Sequence, residues 1–118
     1  MKKKVAIKFS DEAKAIYDQL GERAQSSKVD RMLLNAIDKK LDLIRANCFY
    51  GDIIPKKLIP EEYKKKYAIT NLLRVELPCF WRMLYALGDD ENQIVIIAFI
   101  TDILDHKKYN KKFGYKKH

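Results

Sequence analysis

The segment LPCFWRMLYAL, residues 77–87, crowds Phe80, Trp81, Met83, Leu84, Tyr85 and Leu87 around a single cation, Arg82. Residues 80–87 are rich in aromatic and long apolar side chains and follow a breaker, Pro78, so they read as a β-strand. Apolar residues fall on both of its faces, as they do in IVIIAFITDIL at 94–104. Such strands are central or covered rather than half-solvated. NLLRVEL (71–77) reads as a third strand, ended by Pro78, and GDDEN (88–92) as the hairpin turn between the two longer ones.

Outward from this sheet, KKVAIKFS (3–10) alternates Val5, Ile7 and Phe9 with polar or small residues and reads as a strand. Ser10 then suits a helix N-cap, with Asp11 and Glu12 in a first turn that favours negative charge. Ala13, Ile16, Tyr17 and Leu20 form the apolar stripe of that helix. Ser27 with Asp30 resembles a capping pair for a second helix over about 28–47, whose apolar face takes in Val29, Met32, Leu33, Ala36, Ile37, Leu41 and Ile44. The two make a helical hairpin. Residues 48–70 are less regular, punctuated by Gly51, Pro55 and Pro60, with one short helix in PEEYKKKY that sets Tyr63 and Tyr67 four apart. The tail reads as a short helix or ordered coil anchored by Tyr109, Phe113 and Tyr115.

This order predicts one α+β domain over 1–118. An N-terminal strand and helical hairpin pack on a mostly antiparallel four-stranded sheet, with a basic C-terminal tail. At 118 residues with 47% hydrophobic and 34% charged side chains, the chain has the composition of a folded domain with one modest core. No run of about 18 apolar residues is present, so no membrane contact is expected. The N-terminal KKK is followed by too short an apolar stretch for a secretory leader, and Cys48 and Cys79 lack metal spacing. A cytoplasmic protein with reduced thiols is expected.

The 24 basic residues outnumber the 16 acidic ones, for a net charge of +8, which predicts attraction to a polyanion or an acidic partner. The excess is concentrated: residues 106–118 hold six lysines and no acid. P-loop, nucleophile-elbow, dinucleotide-binding and zinc-ligand patterns are absent from the sequence, and no small-molecule cofactor is expected. Asp102, Asp105 and His106 offer a conceivable metal set, but their spacing crosses the end of a strand.

Element order and residues together resemble the RelE/ParE superfamily of toxin–antitoxin toxins. NLLRVELP resembles the strand that sets basic side chains in the toxin groove. FWRMLYAL is similar to the family strand with an arginine between an aromatic and an apolar pair ending in tyrosine. IVIIAFITDILDHKKYNKKFGY resembles the last apolar strand running into a basic, tyrosine-containing tail. Residues 5–47 match in element order more than in sequence. The resemblance implies a RelE-like single domain acting as a metal-independent, ribosome-dependent mRNA endoribonuclease. In that reaction a ribose 2′-OH attacks the adjacent phosphate and leaves a cyclic phosphate. Its implied partners are mRNA, the ribosome and a neutralising antitoxin protein.

Such chemistry needs a fixed cation for the phosphoryl oxygens, a base for the 2′-OH and an acid for the leaving oxygen. The resemblance assigns the phosphate clamp to Arg82, whose forked donors match phosphate oxygens; the alternative is a structural arginine paired with Glu76 or Asp102. Arg74 is the second cation, with Glu76 as competing partner. Many ribonucleases of the superfamily carry lysines on this strand, where this chain carries none. His106 is the candidate acid or base. Tyr109 either stacks on a base and orients the 2′-OH or anchors the tail. Lys107, Lys108, Lys111, Lys112, Lys116 and Lys117 are expected to hold phosphates without reading sequence. Two rival readings share the fold: a ParE-like inhibitor of DNA gyrase, and a non-catalytic RNA- or protein-binding member.

Overall fold

The computed structural model describes residues 3–89 and 95–114. The expected turn at 88–92 lies partly outside these residues, and Tyr115, Lys116 and Lys117 lie wholly outside them. The elements are β1 (Lys4–Phe9), α1 (Asp11–Arg23), α2 (Lys28–Ala46), β2 (Asp52–Ile53), α3 (Glu61–Tyr67), β3 (Leu73–Glu76), β4 (Arg82–Asp89), β5 (Val95–Leu104) and α4 (His106–Lys112). Both caps form as the sequence predicts. Ser10 Oγ accepts from the Ala13 N–H, and Ser27 Oγ from the Asp30 N–H.

The class is α+β, but the sheet has five strands rather than four, in the order β1-β5-β4-β3-β2, and it is mixed. β1 lies parallel to β5, with Lys4 opposite Val95 and Phe9 opposite Ile100. Nearly the whole domain separates these two strands in sequence, so no hairpin dictates their direction. β2 is the additional strand. It pairs Asp52 with Arg74 and Ile53 with Leu73, and is too short to leave a periodic signal.

Two further expectations need correcting. β4 starts at Arg82 rather than Phe80, because Cys79 and Phe80 adopt φ of 60° and 61°, outside any strand conformation. Val29 and Met32 do not join the buried stripe of α2. Leu33, Ile37, Leu41 and Ile44 face the sheet, while Val29 and Met32 are exposed.

The sheet is covered on both faces. The helical hairpin packs on one, where Ala13, Leu20, Leu33, Ile37 and Leu41 meet Val75, Met83, Tyr85, Ile100 and Ile103. The segment from Ile54 to Leu72, including α3, covers the other together with α4; there Ile59, Tyr63 and Tyr109 meet Leu84 and Leu104. A β-bulge decides which side chains reach this second face. Leu84 pairs with Asp102 but Tyr85 with Ile100, leaving Thr101 as the extra residue. Both Ile100 and Ile103 therefore enter the helical core. Asp102 is turned instead toward Tyr63. Among the described residues no helix is long and apolar enough to cross a membrane. Cys48 and Cys79 are both free thiols, the first buried and the second exposed.

Candidate nucleic-acid interface

Alternation places Arg74 and Glu76 on one face of β3, and Arg82 with Leu84 on the same face of β4. Glu76 lies directly opposite Arg82 in the ladder, and Arg74 opposite Leu84, so the two arginines are diagonal neighbours. Glu76 Oε1 stands 3.3 Å from Arg82 Nε and 3.8 Å from Arg74 Nε, and Asp52 is 3.8 Å from Arg74. The Nε atoms of both arginines are buried without a well-formed hydrogen bond, so these carboxylate contacts are Coulombic rather than directional. Glu76 itself is largely solvent-exposed.

Helix α4 closes the cluster from the other side. Asp105 caps it by accepting from the Lys108 N–H at 2.9 Å. Tyr109 points inward at 3% exposure. Its hydroxyl accepts from Arg74 Nη1 at 3.1 Å, and its ring lies under the Arg82 guanidinium, 5.3 Å from centroid to Cζ. That hydrogen bond is the main cause of an upward shift in the Arg74 pKa, which keeps this cation charged. His106, one turn earlier, is exposed. Its ring contacts Phe80 at 5.8 Å between centroids, and its Nε2 is 3.2 Å from Asn110 Nδ2.

Arg74 and Arg82 thus both contact Tyr109, whereas His106, on the first turn of the same helix, contacts Phe80 and Asn110. Tyr109 packs on Phe113, with centroids 4.6 Å apart, inside the second core. It anchors the tail, and its ring is closed to a stacking base. Lys107, Lys108 and Lys111 are exposed along α4. Lys112 turns inward, 3.2 Å from Glu62, 3.9 Å from Asp102 and over the Tyr63 ring. A hollow of about 130 Å³ opens beside Arg74 and Tyr109, between Asp52, Pro55 and Leu58. Among the described residues no group of three potential ligands could hold a metal, and Asp102, Asp105 and His106 do not form one.

Two features escaped the sequence reading. The first is Phe80, which leaves the strand two residues before Arg82 and stands 70% exposed against the His106 ring. The second is the Tyr63–Asp102–Lys112 group that fastens α3 and α4 to β5. Tyr63 Oη donates to Asp102 Oδ2 at 2.5 Å. Burial pushes the Asp102 carboxyl above its ordinary range, against the opposing effects of Tyr63 and Lys112. Burial, and then the Asp102 carboxylate, push the Tyr63 phenol up. A lone acid within IVIIAFITDIL was the available signal for the second feature. Comparison of the chain with protein families, with curated proteins and with solved structures finds no match.

Proposed function

We propose that this chain is a RelE-like toxin: an endoribonuclease that cuts mRNA on the ribosome by 2′-OH attack on the adjacent phosphate and is neutralised by an antitoxin. One observation carries the reading. Two guanidinium groups from adjacent strands meet on one buried tyrosine, on the face that also receives the helix bearing an exposed histidine. Arg82, walled by the sheet and the Tyr109 ring, presents its donors in a fixed direction, as stabilisation of a developing phosphoryl charge requires. Glu76 occupies the anion position in the free protein; being exposed, it can swing out when a phosphate arrives. Arg74 adds a second charge, and His106 is the general acid or base: it takes the 2′-OH proton or gives one to the leaving 5′ oxygen, and solvent water carries the other transfer. Lys107, Lys108 and Lys111 track the RNA backbone, and the same basic surface suits an acidic antitoxin segment.

The test is cleavage of mRNA on programmed ribosomes, with transcript ends mapped. Wild type is expected to leave cyclic-phosphate ends. Arg82→Ala should lower the cleavage rate about a hundredfold or more, and His106→Ala about a hundredfold. Intact transcripts with folded wild-type protein would defeat the proposal.

The sharing of Glu76 by both arginines favours a second reading, a non-catalytic RNA binder of the same fold. In that case wild type binds RNA without turnover, and Arg82→Ala weakens binding alone.

A further inference from the structure

The turn between β3 and β4 carries a conformation that its residues do not favour. Cys79 and Phe80 are consecutive L-residues at φ of 60° and 61°, where a glycine would sit without strain. The turn is nonetheless firmly held. Pro78 O accepts from the Trp81 N–H at 3.3 Å, and the Leu77 N–H donates to Trp81 O at 3.0 Å. Leu77 and Trp81 are rooted in the helical core on either side. The result is a rigid pedestal whose summit, Phe80, is 70% exposed. Strain retained in a well-anchored turn points to use of the side chain it presents.

What surrounds that ring selects the kind of ligand. Arg82 follows two positions later, at most about 7 Å away along the backbone, a separation on the scale of a single nucleotide. His106 packs against Phe80 in ring contact, so no base fits between the two, and exposed Lys107 and Lys108 follow it on α4. An exposed aromatic ring with cations on its flank is the arrangement that binds single-stranded nucleic acid, where phosphates meet the charges and an unstacked base meets the ring.

We propose that Phe80 is a stacking platform for one nucleobase of the single-stranded RNA whose phosphate Arg82 holds. This rests on the RNA-binding reading of the arginine cluster and adds a residue and a contact to it. Stacking is tolerant of base identity, so Phe80 contributes affinity and position rather than sequence choice.

The experiment uses the full chain and a short single-stranded RNA carrying a fluorescent purine analogue whose emission is quenched by stacking. Wild type is expected to bind and quench it. Phe80→Ala and Phe80→Gly should both lose the quench and bind roughly tenfold more weakly. Their salt dependence should be unchanged, because phosphate contacts remain. Phe80→Gly relieves the left-handed backbone, so its loss of binding cannot be assigned to misfolding. Phe80→Trp should restore the quench, and Leu43→Ala, an exposed apolar truncation on α2, should match wild type. Tight RNA binding with equal quenching by Phe80→Ala would overturn the stacking proposal and leave the RNA reading standing. Folded wild-type protein that binds no RNA would overturn both.

Discussion

Replacing Tyr63 with phenylalanine isolates one hydroxyl in the layer that holds α3 and α4 over the sheet. Tyr63 is 2% exposed, and its hydroxyl donates to Asp102, a carboxylate only 7% exposed. A hydrogen bond to an ionised acceptor contributes about 1.5–3 kcal/mol. The nearest cation left to Asp102, Lys112 Nζ, is 3.9 Å away. Tyr63→Phe should therefore destabilise the domain by about 2 kcal/mol at pH 7, equivalent to roughly 8 °C in Tm for a domain of this size. The pH dependence has a definite sign. Burial raises the folded-state pKa of Asp102, so its contribution to stability is fully present below the unfolded-state value and is lost as pH rises through the folded one. Tyr63 opposes that loss by stabilising the charged form. The Tyr63→Phe penalty should accordingly be largest at neutral pH and shrink on acidification. Asp102→Asn keeps an acceptor without a buried charge, so it should gain on wild type as pH rises above the ordinary carboxylate range. Urea unfolding at pH 7 and in mild acid, read as midpoint shifts at constant slope, measures all three proteins. A Tyr63→Phe change below about 0.5 kcal/mol at pH 7, or one that grows in acid, would refute this reasoning.

Other perturbations give separate expectations. Gly51→Ala would set a Cβ 2.9 Å from both the Arg74 carbonyl oxygen and Tyr85 Cε1; it should destabilise by about 1–3 kcal/mol and speed amide exchange in β2 and β3. Ser10→Ala removes the α1 cap and a 2.6 Å hydrogen bond donated to Thr101 O, and thermal unfolding should register a loss of about 1–2 kcal/mol. The Lys66 ammonium and then the Tyr67 hydroxyl hold the Glu12 carboxyl down at about 2. Its stabilising effect is present above the ordinary carboxylate pKa and fades as pH falls through about 2. Acid titration of Glu12→Gln against wild type should show a small difference that closes in that window, since solvent screens the pair. Substituting Lys107, Lys108 and Lys111 together by alanine should lower the salt-dependence slope of RNA binding by about two without changing thermal stability, whereas Lys112→Ala should lower stability.

The cation cluster was legible because strand alternation is a local property. Once residues 71–77 and 80–87 read as strands, Arg74 and Glu76 had to share one face of the first, and Arg82 had to lie opposite Trp81 and Tyr85 on the second. Pairing of the two could bring both arginines to one groove, and the register found in the fold does so. The same logic exposed Glu76 as a competitor for both arginines. The helical hairpin and both of its serine caps were legible for a similar reason, since caps and stripes are written within a few residues of one another.

Features that depend on partners far away in sequence were not. Uniform alternation through IVIIAFITDIL would send Asp102 into the helical core; the extra residue at Thr101 sends it to Tyr63, and a bulge carries no composition of its own here. Composition alone makes Phe80 another strand residue, yet two left-handed residues in succession lift it into solvent. The inward turn of Lys112 among five other tail lysines depends on Glu62 and Asp102 arriving from two other elements. The amino-acid sequence alone therefore determined the kinds and order of the longer elements, β2 excepted, and the alternation of faces within β3 and β4. Tertiary structure decided the parallel placement of β1, the exposure of Phe80 and the burial of Tyr109. Periodicity and capping act over one or two turns of chain, whereas pairing direction, bulges and burial are resolved by packing between segments that meet only in the folded state.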